Sequence, residues 1–432
     1  MYLIKKILTF ILTIESRLIL AKYKPFIIAV TGSVGKTSTK DAIYTALRSG
    51  GGYVRKSDKS MNSEIGLPLT IIGAPNAWKS LSGWSKNIWK GFVLIMKRTT
   101  YPDTLVLEIG ADHPNDIKSV ARWLRPNIAV ITKIANTPVH VEFFDSAEQV
   151  FLEKSALATN VRSGGTVILY GDDEKVLSIA KMLDTNIKVI TFGLSQNAEV
   201  RGSNGHIVYE NNFPAGYGFS IQVDGKNYEV VNKKVLGSTL IYPNLCAIAV
   251  AKSKGLNIDN VISALQNHES PKGRMNVLNG LNDSIIIDDS YNSSPDAVVT
   301  ALDTLKSIQT GGQKIAVLGD MMELGKYSAD QHREIGKKVA EVANILITVG
   351  SRSYATAEEA IKSGMKEENV LTFDRSTEVA GTLFPMINPN DVILIKGSQS
   401  IRMERVVKAL LKEPEKADRL LVRQEKEWLE KV

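Results

Sequence analysis

Apolar residues in this chain come in short, dense runs separated by segments of helical period. "KPFIIAV", "TLVLEIG" (104–110), "NIAVITKI" (127–134), "GTVILYGDD" (165–173) and "KVITFGL" (188–194) have strand length and little polar alternation. Runs of that kind predict strands buried on both faces. Helical segments lie between them, Lys36 to Ser49 and "DIKSVARWL" among them, so the sheet is expected to be parallel and doubly wound. From about 195 to 235 the texture turns to alternating, Gly- and Asn-rich sequence such as "GFSIQVDGKNYEVV". It predicts a local antiparallel hairpin with "DGK" at its turn. A helix is expected from Asn244 to Ser253, and "NHESPKGRMNVL" (267–278) places a domain boundary near 270. Beyond it "SIIIDD", "KIAVLGD", "ILITVG" and "DVILIKG" alternate with helical segments and form a second α/β unit.

The chain starts differently. In "MYLIKKILTFILTIESRLIL" the uninterrupted apolar stretch, Ile7 to Ile14, is too short to span a bilayer, and no small-residue cleavage site follows it. Leu3, Ile7, Phe10, Ile11, Ile14 and Leu18 share one face of a helix. That face is expected either to pack on the following domain or, through residues 1–20, to meet a membrane surface or a partner.

Composition adds little to this picture. Hydrophobic content of 44% and charged content of 23% are those of a globular protein. The net charge of +7 and pI of 9.1 come from scattered Lys and Arg, whose longest clusters are two or three residues. No nucleic-acid partner is expected; a polyanionic small substrate or an anionic membrane surface fits the balance. A lone cysteine, Cys246, excludes an internal disulfide framework and suits a reducing cytoplasm.

Candidate chemistry begins at "TGSVGKTST", set between a predicted strand and a predicted helix. Backbone N–H groups of a glycine turn and a helix N-terminus converge there on an anion. Gly32, Ser33 and Gly35 would form the cradle, Lys36 would reach the outer phosphates, and Thr37 or Ser38 would ligate Mg²⁺. Gly32 and Gly35 have only two residues between them, where the common pattern has four and would put its first glycine at Val30. Glu108 ends the run "LVLE" and His140 follows the run ending near Ile134, both at the strand ends that face a ligand crevice. Each also has a structural alternative, a helix cap for Glu108 and a hydrogen-bonded loop residue for His140.

Together with that loop, "NSEIGLPLT", "LEIGADHPNDI", "VHVEFFDSAEQVFLEKSAL", "GRMNVL", "IIIDDSYNSSPDAV", "VLGDMMELG" and "LIKGSQSIRMERVV" resemble the Mur ligases, in family order over about 29–407. The last three segments are most like members that join D-alanyl-D-alanine (D-Ala-D-Ala) to a UDP-linked muramyl tripeptide. The resemblance implies an α/β architecture: a central, doubly wound, mostly parallel P-loop domain (25–270), then a smaller Rossmann-like C-terminal domain (271–410). An N-terminal amphipathic helix (1–24) precedes them and a charged helical tail (411–432) follows. It implies ATP as substrate, an acyl-phosphate intermediate, and amide formation by an incoming amine. It further implies two Mg²⁺ sites, with Thr37 and Glu108 at the first and His140 at the second, and a CO₂-derived carbamate on Lys154 as a further metal ligand. Without the family, Lys154 reads as a solvated helix residue beside Glu153. Asn244, Arg274, Asp289, Tyr291 and Asn292 would meet the nucleotide, with a hinge near Gly273. A cytoplasmic monomer acting in cell-wall precursor synthesis is the implied setting.

Three departures from the family pattern bear on substrate identity. Only about 25 residues precede the first strand, too few for the family's UDP-holding N-terminal domain. "DDSYNSSP" has Ser294 where the family has asparagine, and "GST" at 237–239 lacks the family's histidine, part of whose role falls to Asn244. Two other functions therefore stay open: an amide ligase for a poly-amino-acid or lipid-linked precursor, and a catalytically silent ATP-binding scaffold.

Overall fold

The computed structural model describes residues 2–57, 65–78, 80–111, 113–134, 144 and 146–430, with side chains from Lys6 onward. The five buried runs become strands β1 (Phe26–Thr31), β3 (Thr104–Glu108), β4 (Ile128–Ile131), β5 (Thr166–Tyr170) and β6 (Lys188–Gly193), and a short strand that the pattern does not announce, β2 (Val54–Lys56), joins them. Three longer strands follow, β7 (Val200–Glu210), β8 (Phe213–Val223) and β9 (Lys226–Lys233). All nine form one sheet, in the order β2-β3-β1-β4-β5-β6-β7-β8-β9. It is parallel from β2 to β7 and antiparallel over β8 and β9. The region 195–235 thus holds two hairpins where one was expected. Asp224 and Gly225 turn the second, as the sequence predicts, while Asn211 and Asn212, both at positive φ, turn the first. Asn tolerates that conformation, so the Asn-Asn pair is itself a tight-turn signal.

A second sheet comprises β10 (Asn276–Asn279), β11 (Ile285–Asp289), β12 (Lys314–Gly319), β13 (Ile345–Val349), β14 (Val370–Phe373) and β15 (Val392–Lys396). Its order is β10-β11-β15-β12-β13-β14, parallel except for β10. The sheets meet where Val235 bridges Asn276, Leu236 N–H donates to the Met275 carbonyl and Val277 N–H to that of Lys234. This short ladder fixes the second unit beside the first.

The helices that matter for the site and for the N-terminal flank are α1 (Tyr2–Tyr23), α2 (Lys36–Ser49), α3 (Gly66–Ile72), α4 (Leu81–Met96), α5 (Asp116–Leu124), α6 (Ala147–Thr159), α7 (Ile241–Ser253), α8 (Pro295–Ser307) and α9 (Glu404–Leu410). α1 packs on α3 and α4. Its buried face is Leu12, Glu15, Ser16, Ile19 and Leu20, whereas the predicted stripe of Ile7, Phe10, Ile14 and Leu18 is exposed. The helix is apolar on two opposite sides, and periodicity alone selected the outer one. Lys22 fastens α1 to its neighbour by donating to the carbonyls of Leu94, Ile95 and Lys97, the open end of α4. No described helix is long and apolar enough to cross a membrane.

Candidate active site

β1 lies between β3 and β4, and the chain leaves its C-terminal end into the phosphate loop, a position where parallel sheets bind ligands. Gly32 has φ +145°, and a Cβ there would stand 1.9 Å from Thr132 Oγ1, so only hydrogen fits. The Thr132 hydroxyl donates to the carbonyls of Thr31 and Val34, and Ser33 and Val34 N–H donate to that of Lys133. The loop is thereby laced to the end of β4. Gly35, at φ +83°, is the N-cap of α2 and supplies no side-chain cap. The positive end of α2 is left to an outside anion. Lys36 Nζ lies over the same turn, donating to the carbonyls of Gly32 at 2.9 Å and Ser33 at 3.2 Å.

At the second residue of α2, the Thr37 hydroxyl donates to Glu108 Oε1 at 3.1 Å. Glu108 is buried at the end of β3, and its Oε2 has no hydrogen-bond partner; the Lys40 ammonium stands 3.7 Å away. Lys40 in turn donates to the Ser57 carbonyl at 2.8 Å and lies 3.6 Å from Asp41, which also pairs with Lys56. A hydroxyl beside a buried carboxylate with a spare oxygen is a hard donor set that fits Mg²⁺. Among the described residues no three His, Cys, Asp or Glu side chains gather as a cage. Such a site therefore leaves most positions to water and phosphate oxygens, the habit of Mg²⁺.

Lys154, on α6, is only 5% exposed, and its Nζ donates to the Gly32 carbonyl at 3.1 Å. The solvated helix lysine that the bare sequence favours is excluded. Its neighbour Glu153 is buried too, accepting N–H bonds from Asn115, Ile117 and Lys118 at the N-terminus of α5. Charge and helix dipole both favour that carboxylate. It fixes the rotation of α6, which keeps Lys154 turned toward the phosphate loop.

The second unit closes over this crevice. Asp289 and Lys396 are register partners on β11 and β15, and their buried side chains pair at 2.6 Å. Lys396 also donates to the Asn292 carbonyl at 2.9 Å. The Arg274 guanidinium sits 4.2 Å from the Tyr291 ring centroid. Burial pushes the Tyr291 phenol up; Arg274 opposes this and the Glu108 carboxylate across the crevice reinforces it. Tyr291 N–H donates to the carbonyl of Gly273, which has φ +67°. On the rim, Lys133 pairs with Asp296 at 2.9 Å, joining the loop behind β4 to the first turn of α8.

Two family models match the chain: the Mur ligase middle domain over residues 89–251, and the Mur ligase glutamate ligase domain over 273–399. The chain belongs to the Mur ligase family. UDP-N-acetylmuramoyl-tripeptide–D-alanyl-D-alanine ligase of Mycobacterium tuberculosis is 29% identical over 406 residues, covering 89% of this chain and 72% of the relative. The enzyme of that name from Bacillus subtilis is 26% identical over 390 residues, covering 90% and 76%. The crystal structure of a MurF ligase from Thermotoga maritima in complex with ADP superposes with a TM-score of 0.76 at 24% identity. That match covers 95% of this chain and 84% of the other.

As a Mur ligase the protein is an ATP-dependent peptide ligase, and most of the expected site residues gather at one place. Gly32, Gly35, Lys36, Thr37, Glu108 and Lys154 form one cluster, and Tyr291 faces it. Ser33 turns in the loop itself, and Ser38 is half-buried on α2. Asn244 is placed elsewhere: it is buried on α7, its amide donating to Asn232 Oδ1 and the Leu240 carbonyl in a core clamp. His140 lies outside the described residues. Sequence reasoning missed Lys40, Glu153 and Arg423. For Lys40 the available signal was its spacing, one helical turn from Lys36 on the buried face of α2.

Arg423 lies in the tail, yet its guanidinium donates to the carbonyls of Ser290 and Tyr291 and pairs with Glu404 of α9 at 3.1 Å. It therefore positions the 289–292 loop without facing the crevice. Arg423→Ala is expected to raise KM for ATP on the order of tenfold while kcat changes less, because loop placement is lost and chemistry is not. Steady-state kinetics at varied ATP reads this split; equal losses in both parameters would rule out a positioning role.

Proposed function

We propose that this Mur ligase adds D-alanyl-D-alanine to a UDP-N-acetylmuramoyl-tripeptide, through an acyl phosphate made from ATP. The observation that carries the reading is the convergence of Lys36, Thr37, Glu108 from β3 and Lys154 from α6 around a single phosphate loop, opposite Tyr291 and Arg274. A carboxylate is a poor electrophile until its oxygen carries a phosphoryl group. Its oxygen attacks the γ-phosphorus, the bond to the β-phosphate oxygen breaks, and ADP leaves. The amine then attacks the acyl carbon, loses a proton, and inorganic phosphate leaves from the tetrahedral intermediate.

The chain's own part in the first step is to hold and neutralise phosphoryl oxygens, which is most of what such a transfer requires. The N-terminus of α2 cradles the phosphates, Lys36 supplies a charge at the outer ones, and Arg274 waits on the opposite wall. Thr37 and Glu108 would hold one Mg²⁺, and His140 a second; bound Mg²⁺ supplies further positive charge to the phosphoryl oxygens. Lys154 would carry a carbamate: its ammonium gives up a proton, the free amine nitrogen bonds the CO₂ carbon, a second proton leaves, and a cation that repels Mg²⁺ becomes an anionic oxygen ligand.

ADP release with each acid paired with each amine tests the substrates. Turnover is expected only with the UDP-tripeptide and D-Ala-D-Ala together; turnover with another pair reassigns the substrate and leaves the ATP chemistry standing. The carbamate has its own readout. Protein held in ¹³C-bicarbonate should show a carbamate carbon resonance that Lys154→Ala lacks, and an identical spectrum in the variant would refute it.

A further inference from the structure

Although Lys and Arg are scattered along the chain in short clusters, their excess over acids is concentrated in two segments. Residues 1–24 and 74–102, which hold α1 and α4, contain ten Lys and Arg and a single acid, Glu15. The rest of the chain has 43 Lys and Arg against 45 Asp and Glu, so the two segments account for the whole net excess. Glu15 does not offset it at the surface. Its side chain is buried against Gly91, where an added Cβ would stand 2.2 Å from Oε2, and burial pushes its pKa up to about 7.

The same two helices carry an unusual share of exposed apolar side chains. On α1, Ile7, Phe10, Ile14 and Leu18 recur every three or four residues on the side opposite the packing face, with Phe10 66% exposed. On α4, Trp89, Phe92 and Met96 follow the same spacing, with Leu81 two turns before Trp89 on the same side; Trp89 is 65% exposed and its ring is stacked on Phe92. The helices lie side by side, joined by the Glu15–Gly91 contact and by Lys22 at the end of α4. Lys86 and Lys90 are exposed on α4 next to its apolar stripe, Lys97 is exposed just past its end, and Arg17 is exposed on α1.

We propose that α1 and α4 together form a docking surface for an anionic lipid bilayer, lying in the interface without crossing it. Aromatic and aliphatic side chains at helical spacing, bordered by cations and free of acids, are the composition by which helices seat in the headgroup region. The charge balance selects a bilayer as the occupant. A second copy of this chain would bring ten cations against the same ten, and like charges repel. An anionic membrane meets them with opposite sign and takes up the apolar stripe.

Flotation of the full-length protein with vesicles tests this. Phosphatidylcholine vesicles doped with phosphatidylglycerol should bind it at least about tenfold more than phosphatidylcholine alone, and high salt should reduce the difference. Phe10→Ser with Trp89→Ser and Phe92→Ser should lose about tenfold in vesicle binding, since the apolar insertion is removed. These side chains are exposed, so ADP release and melting temperature in solution should stay at the parent value and show an intact fold. Equal flotation with both vesicle types, or equal flotation of parent and variant, would overturn the proposal. A sedimentation-velocity dimer in the parent that the variant abolishes would assign the surface to a second copy instead.

Discussion

Lys36→Met should lower kcat/KM for ATP by about a hundred- to a thousandfold, the usual result of removing one preorganised charge from a developing oxyanion. The size follows from how the loop is built. Gly32 is pinned against Thr132, Ser33 and Val34 N–H are committed to the Lys133 carbonyl, and Gly35 opens the N-terminus of α2. The backbone therefore holds the phosphates in place but brings only partial charge. Full charges near the loop are few and differently employed: Lys40 is buried between Glu108, Asp41 and the Ser57 carbonyl, and Lys154 donates to Gly32. Lys36 is half-buried and lies on the loop's own carbonyls, from which its long side chain can swing to a phosphate. Met keeps the length and apolar stem, so the melting temperature should move by no more than about 2 °C. Lys36→Arg is expected to recover only part of the rate, because a planar guanidinium replaces a point charge in a narrow turn. ADP release from purified variants measures all of this. A Lys36→Met enzyme with more than about a tenth of parental turnover would refute the assigned role.

What the sequence reveals here depends on how far apart the cooperating residues stand in the chain. The phosphate loop is contiguous, so Gly32 to Ser38 could be read directly, shortened glycine spacing included. The buried strands were equally plain, because a run such as "FIIAV" has no polar residue to misplace. Contacts made across the chain were not legible without the family resemblance. Nothing in "FLEKSAL" says that Glu153 caps α5 while Lys154 reaches Gly32; burial decides it, and a Glu-Lys pair reads by default as solvent-facing. Arg423 sits 132 residues from Tyr291, in a charged tail that looks like ordinary surface. α1 failed for another reason: both of its sides are apolar, so periodicity could not name the packed one. Asn244 shows the limit of motif transfer. The residue type suits a nucleotide contact, but Asn232 Oδ1 and the Leu240 carbonyl together hold its amide inward.

Lys396→Met should destabilise the protein by about 3–5 kcal/mol, a large fraction of the stability of an ordinary domain. Lys396 and Asp289 are buried register partners paired at 2.6 Å at the C-terminal ends of two inner strands of the second sheet, and water cannot replace the lost ammonium. Removing one partner leaves the other's charge uncompensated in the interior, which is far worse than removing both. The double variant Asp289→Asn with Lys396→Met should therefore recover a substantial part of the loss. Acidity gives a second handle. Asp288 next door is fully buried, and burial raises its carboxyl from 3.8 to about 6. A carboxyl raised in the folded state favours folding most below its unfolded value, and that contribution fades as pH climbs through about 6. Without Lys396 the Asp289 carboxylate stands uncompensated beside Asp288, and protonating Asp288 relieves the repulsion between them. The stability deficit of Lys396→Met should then shrink as pH falls from 8 toward 5, whereas a simple cavity would give a deficit independent of pH. Thermal unfolding across that range distinguishes the two. Activity completes the test, because Lys396 also holds the Asn292 carbonyl at 2.9 Å. If the ammonium both balances charge and sets the 289–292 loop, the double variant will regain stability and still turn over ATP poorly. Recovery of both together would reduce Lys396 to a counter-ion.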